Sequence, residues 1–148
     1  MGDLRLTSSA FEAGATIPGR YGRNEENVNP ALAIDGVPPD ARSLALVVDD
    51  PDAPGGTFTH WLVWNVPPDV DGIPEGWTPP EAVEEGENDF GTVGYGGPAP
   101  PSEHTYRFKL FALDTTLDLP GDADAAALGE AMDGHVLART QLTGTYTP

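Results

Sequence analysis

Residues 105–112 read Thr-Tyr-Arg-Phe-Lys-Leu-Phe-Ala. Tyr106, Phe108, Leu110 and Ala112 fall on one side of this stretch, and Arg107 and Lys109 on the other. A period of two with a polar side predicts a half-buried antiparallel strand. Residues 43–48 and 61–66 are instead continuously apolar, the second run ending at Pro67-Pro68. Short runs without alternation predict strands covered on both faces. Leu4-Arg5-Leu6-Thr7 alternates like a short strand, and Ala31-Leu32-Ala33-Ile34 leads into the turn dipeptide Asp35-Gly36. A last strand is expected over 136–146. One stretch has helical spacing: Ala125, Leu128 and Met132 form the apolar stripe, Asp122 or Asp124 can cap its start, and Gly134 can stop it. Between 67 and 101 the chain is rich in Gly, Pro and Glu, the composition of a loop that folds over something or builds a site. The pattern predicts a mainly β fold, an antiparallel β-sandwich with one or two short helices, in one domain over 1–148.

Charge adds to this picture. Among 148 residues, 24 are Asp or Glu and 7 are Lys or Arg, a formal net charge of -17, and Lys109 is the sole lysine. Such a surface repels nucleic acids and anionic membranes at ordinary salt. The acids are scattered rather than massed in a tail, so the reading is a solvated, high-salt-adapted surface. Salt is then expected to stabilise the chain, because the screening length falls from about 10 Å at 0.1 M to about 3 Å at 1 M. A thermal midpoint that stays flat or falls between low and molar KCl refutes this. With no cysteine, disulfides and thiolate chemistry are excluded. No apolar run reaches the length of a membrane span, and the N-terminus has no leader-like pattern, so the expected location is cytoplasmic.

The residues able to carry chemistry are few. Asp50 ends the most apolar strand, where a carboxylate seeks a cationic or donor partner. His60, at the start of the next strand, is the expected partner, with its imidazole pKa raised by the pairing. Gly96-Gly97-Pro98 could turn backbone N–H groups toward an anion. His104 stands just before the strand that presents Tyr106, and His135 reads as a structural or surface residue.

Asp50-Pro51-Asp52-Ala53-Pro54, then His60, then Tyr95-Gly96-Gly97-Pro98-Ala99-Pro100-Pro101 and His104-Thr105-Tyr106 resemble the two hallmark blocks of the phosphatidylethanolamine-binding proteins. This family includes the Raf kinase inhibitor proteins and their short bacterial and archaeal relatives. Asn29-Pro30-Ala31-Leu32 before the first block, Ala112-Leu113-Asp114 after the second, and the ending around Gly134-His135-Val136 extend the resemblance over nearly the whole chain. The resemblance implies two packed β-sheets and a small pocket for phosphate-like groups, formed here by Asp50, Asp52, Pro54, His60, Gly97, His104 and Tyr106. It also implies a cis bond, for which Ala53–Pro54 is the candidate. The chain departs from the pattern at Ala99, where short relatives usually have cysteine, and at Thr105, where arginine is common. Nothing in the chain matches the C-terminal helix of the longer eukaryotic members, so a more open entrance is expected, or one closed by a second subunit.

The resulting expectation is a binding protein for a small anion or phosphorylated small ligand, regulatory rather than enzymatic, with modulation of a kinase or hydrolase as one such role. No cofactor is implied, and no particular protein partner. A homodimer is expected, with Trp61, Trp64 or Trp77 as an anchor, although core packing also suits the first two. The alternative is a phosphoester hydrolase using the His/Asp pocket. A divalent metal on Asp50, Asp52 and His60 is a third arrangement, with no further ligand placed by the motif.

Overall fold

The computed structural model describes residues 4–147. The start of the chain, residues 1–3, where no leader is expected, lies outside the described residues. Eight strands form two antiparallel sheets. The smaller sheet has the order β1 (Arg5–Thr7), β2 (Leu32–Asp35), β5 (Gly72–Ile73). The larger has the order β6 (Glu84–Glu85), β4 (Phe58–Val66), β3 (Ser43–Asp50), β7 (His104–Leu113), β8 (Val136–Tyr146). The expected strands are all present, and the 67–101 stretch adds the two-residue strands β5 and β6.

The continuous apolar run of β3 has a direct cause. Leu44, Leu46 and Val48 enter the core between the two sheets, where they meet Leu6, Ile34 and Ile73. Ala45 points to the opposite face, into a second core with Leu62, Trp64 and Leu113. That second core is roofed by Leu128 and Met132 of α1 (Ala125–Met132). A strand with both faces covered has no polar side, so its sequence does not alternate. Strand β7 has only a partial cover on its outer face, and it does alternate: Tyr106, Phe108, Leu110 and Ala112 are buried, Arg107 and Lys109 half-buried.

Of the two capping aspartates, Asp124 caps α1, its carboxylate accepting the Ala127 N–H at 2.9 Å. Gly134 follows the helix at φ 82°, in the left-handed region that glycine enters without strain. A 3-10 turn at Gly19–Tyr21 is the other short helical element. Trp61 and Trp64 are fully buried, so they serve the two cores and cannot anchor a dimer interface; Trp77 is half-buried. Among the described residues no helix is long and apolar enough to cross a membrane.

Candidate functional site

Three strand segments converge at one end of the large sheet. Strand β3 ends on Asp50, β4 carries His60 near its start, and β7 opens with His104 and Tyr106. The β3–β4 register shifts here: Val48 pairs with Trp61 but Asp49 pairs with Thr59, leaving His60 as the extra residue of a bulge. A bulge re-aims a side chain. Trp61 sits in the inter-sheet core, yet the neighbouring His60 ring lies on the same side, its centroid 5.1 Å from that of Tyr106.

These groups line a cavity of about 130 Å³. Asp50, His60, His104 and Tyr106 supply its polar wall. Phe58, Phe90, Pro54, Ala99 and Pro100 supply much of the apolar one. The space is well below the roughly 300–1,000 Å³ of pockets that enclose drug-sized ligands, so it suits a small group. Ala99 places a methyl at a wall where the resemblance implies a thiol.

The hydrogen bonds differ from the expected ones in three ways. Asp50 pairs with His104, not His60: its Oδ2 lies 2.6 Å from His104 Nδ1, with both side chains buried. The other carboxylate oxygen accepts the Asp52 N–H at 2.8 Å. The antiparallel order explains the pairing, because β7 is hydrogen-bonded to β3 along its length and brings His104 beside the end of β3. His60 instead donates from Nδ1 to the Gly96 carbonyl at 2.7 Å. Burial dominates its titration and lowers its pKa below the usual 6.5, against the raising effects of the Gly96 carbonyl and the Asp50 charge. The expected upward shift is therefore reversed.

Second, Asp52 orients no imidazole. It is exposed, and its Oδ2 accepts the Thr105 N–H at 2.9 Å, tying the loop after β3 to the start of β7. Asp50, Asp52 and His60 thus form no metal site, and no group of three His, Asp or Glu suited to a metal exists among the described residues. Third, the Gly96 and Gly97 N–H groups are not free for an anion. They donate to the His60 carbonyl at 2.9 Å and to Asn27 Oδ1 at 2.8 Å. Gly97 is outside the cavity lining, and a Cβ there would fall on the Tyr21 carbonyl oxygen. The glycine is needed because two backbones approach closely. The Ala53–Pro54 bond is trans, as are all peptide bonds among the described residues. Gly55 and Gly56, at φ 83° and 118°, turn the chain there.

Tyr106 keeps its proton at neutral pH. Burial, and then the adjacent Asp50 carboxylate, push its hydroxyl pKa up, so it remains a donor. His135 stays on the surface with Asp114, at 2.8 Å, and does not line the cavity.

Four contributors, Asn88, Phe58, Phe90 and Arg23, were not singled out in the sequence. Asn88, 2% exposed, accepts the N–H groups of Phe90 and Thr92 and donates to the Gly94 carbonyl, shaping the loop that presents Phe90. Phe58, His60 and Phe90 form a mutual aromatic cluster with centroids 4.8–5.4 Å apart. Arg23 lies over Phe90, its guanidinium carbon 3.9 Å from the ring centroid, which puts a cation behind one wall of the cavity. Asn88, Phe90 and Arg23 stand in loops and Phe58 at a strand end, far apart in sequence and outside any periodic pattern, so only the folded chain brings them together.

The family model described as phosphatidylethanolamine-binding protein matches residues 7–147. A UPF0098 protein of Methanothermobacter thermautotrophicus is 47% identical over 148 residues, spanning 97% of this chain and 98% of that one. A UPF0098 protein of Pyrococcus abyssi is 47% identical over 153 residues, spanning 97% and 85%. The solved phosphatidylethanolamine-binding protein homologue of Chlamydia trachomatis superposes with a TM-score of 0.94 at 37% identity, over 100% of this chain and 99% of that one. Escherichia coli YbcL, described as a member of the mammalian family, gives 0.92 at 30% identity, over 99% of both chains. With the match running through both hallmark blocks and the whole sandwich, this chain belongs to the phosphatidylethanolamine-binding protein family.

Proposed function

We propose that this protein binds a small phosphate-like anion in the cavity at the end of β3, β4 and β7, as a binding and regulatory protein rather than through turnover. One observation carries the reading: both imidazoles of the cavity have Nδ1 engaged, at Gly96 and Asp50, leaving each Nε2 without a protein partner among the described residues. The Tyr106 hydroxyl lines the same wall beside Asp50, and Arg23 adds positive charge behind Phe90.

The tautomer sets the chemistry. With Nδ1–H donating to a carbonyl, a neutral His60 offers Nε2 as an acceptor. It can take a hydrogen bond from the P–OH of a protonated phosphate. An oxyanion without such a proton needs His60 in its charged form. Since burial lowers the His60 pKa, the empty protein holds this ring neutral at pH 7. Sulfate binding must then take up a proton, and its affinity rises as pH falls through and below about 6.5.

Calorimetric titration with inorganic phosphate and with sulfate between pH 5.5 and 8 tests this. His60→Ala is expected to weaken both anions by about tenfold or more, the loss of a charge-assisted hydrogen bond, and to flatten the sulfate pH profile. A wild-type sulfate affinity that does not change with pH refutes the role given to His60. Hydrolysis is the second reading, and the Asp50–His104 pair favours it, since a carboxylate that orients an imidazole is the geometry of a general base. No Ser, Thr or Cys lines the cavity, and this reading takes water as the attacking group. Turnover of p-nitrophenyl phosphate that is lost in His104→Ala would replace binding with hydrolysis as the function.

A further inference from the structure

The outer face of the large sheet is covered unevenly. Helix α1 roofs Ala45, Leu62, Trp64 and Leu113. Val47 and Phe111 lie at the margin of that core and stay half-exposed. Around Phe111 the register gathers cations. Arg139 of β8 is its cross-strand neighbour, and Lys109, two residues along β7, shares its face and pairs with Gln141. Arg107 is next on that face. The surface between them is concave, with a volume of about 460 Å³, lined by Lys109, Phe111, Arg139, Thr140 and Gln141.

The cations are arranged rather than scattered. Buried Asp49 accepts from Arg107 Nε and from Lys109 Nζ, each at 2.7 Å, and so holds both stems against the sheet. Arg139 has no ion pair among the described residues, and no carboxylate lines the concavity. Three of the chain's seven cations thus meet on one patch, against a single carboxylate, in a chain with 24 acidic residues.

We propose that this concavity is a second ligand site, for a compact anion built on a flat apolar frame, such as an aryl carboxylate, sulfonate or phosphate. Phe111 supplies the apolar floor, Arg139 and Lys109 meet the anionic group, and Gln141 and Thr140 add hydrogen bonds. Charge decides among occupants. A second copy docked face to face about a two-fold axis would set Arg139 and Lys109 against the same cations. A long polyanion or an anionic membrane meets the repulsion of a net charge of -17 beyond the patch. A small anion meets neither obstacle, and the volume falls within the roughly 300–1,000 Å³ of ligand pockets. The site shares no lining residue with the cavity at His60.

Anilinonaphthalene sulfonate is a suitable probe, with uncharged phenylnaphthylamine as its control. Fluorescence titration is expected to show saturable binding of the sulfonate, at least about tenfold tighter than the control, and an NMR titration to show amide shifts confined to 107–111 and 138–143. Arg139→Gln is expected to weaken the sulfonate about tenfold, and Arg139→Glu further, because an exposed charge-assisted contact is lost and then reversed. His60→Ala leaves this binding unchanged, which separates the result from the fate of the first cavity. Equal affinity for probe and control, unaltered binding in Arg139→Glu, or shifts centred on His60 and Tyr106 would each overturn the proposal.

Discussion

Asp50→Ala is expected to lower stability by about 3 kcal/mol, at the upper end of the cost of leaving a buried donor without its partner. Asp50 is 3% exposed and accepts from two groups, His104 Nδ1 and the Asp52 N–H. Alanine leaves the imidazole N–H buried without an acceptor and releases the start of the loop that closes the cavity. For a domain of this size the loss corresponds to a fall of roughly 10 °C in thermal midpoint. Asp50→Asn keeps one acceptor oxygen and a similar shape, so it is expected to cost only about 1 kcal/mol. Chemical denaturation of the two variants separates the cases. An Asp50→Ala protein within 1 kcal/mol of wild type would show that the carboxylate is dispensable to the fold, and that its pairing with His104 has no structural weight.

Gly97→Ala is expected to cost about 3 kcal/mol or more, at or beyond the upper end of ordinary overpacking. The added methyl meets the backbone of the 21–23 segment: the Tyr21 carbonyl oxygen, the Arg23 nitrogen at 2.9 Å and the Gly22 carbonyl carbon at 2.9 Å. Backbone cannot rotate away as a side-chain tip can. Relief requires the 19–23 segment to separate from the loop before His104, which breaks the Arg23 N–H bond to Pro98 and the Gly97 N–H bond to Asn27. Arg23 then leaves Phe90, so anion affinity falls together with stability. A Gly97→Ala protein as stable as wild type would show that the 19–23 segment can yield without loss, which the close backbone approach opposes.

Much of the fold was legible in the chain because burial has a period. The alternation of Tyr106, Phe108, Leu110 and Ala112 placed β7, and the unbroken apolar run from Leu44 placed β3 in the middle of its sheet. Asp124 and Gly134 bounded α1 through local backbone chemistry that needs no distant partner. The residue types of the candidate site were also legible, since Asp50, His60, His104 and Tyr106 stand in blocks that resemble a known family, and the fold brings all four to one cavity.

Partnership within that cavity was not legible. Asp50 and His60 are ten residues apart and His104 is fifty-four from Asp50, so proximity along the chain favoured the wrong imidazole. Sheet order reversed the choice, because β7 lies against β3 and delivers His104 to the carboxylate, while a bulge in β4 turns His60 to the Gly96 carbonyl. The same packing consumed the Gly96 and Gly97 N–H groups and buried His60 deeply enough to reverse the expected direction of its pKa. Composition and periodicity are local properties and determined the strands, the helix and the charge of this protein. Hydrogen-bond partners and desolvation depend on which distant segments become neighbours, and those only the tertiary structure decided.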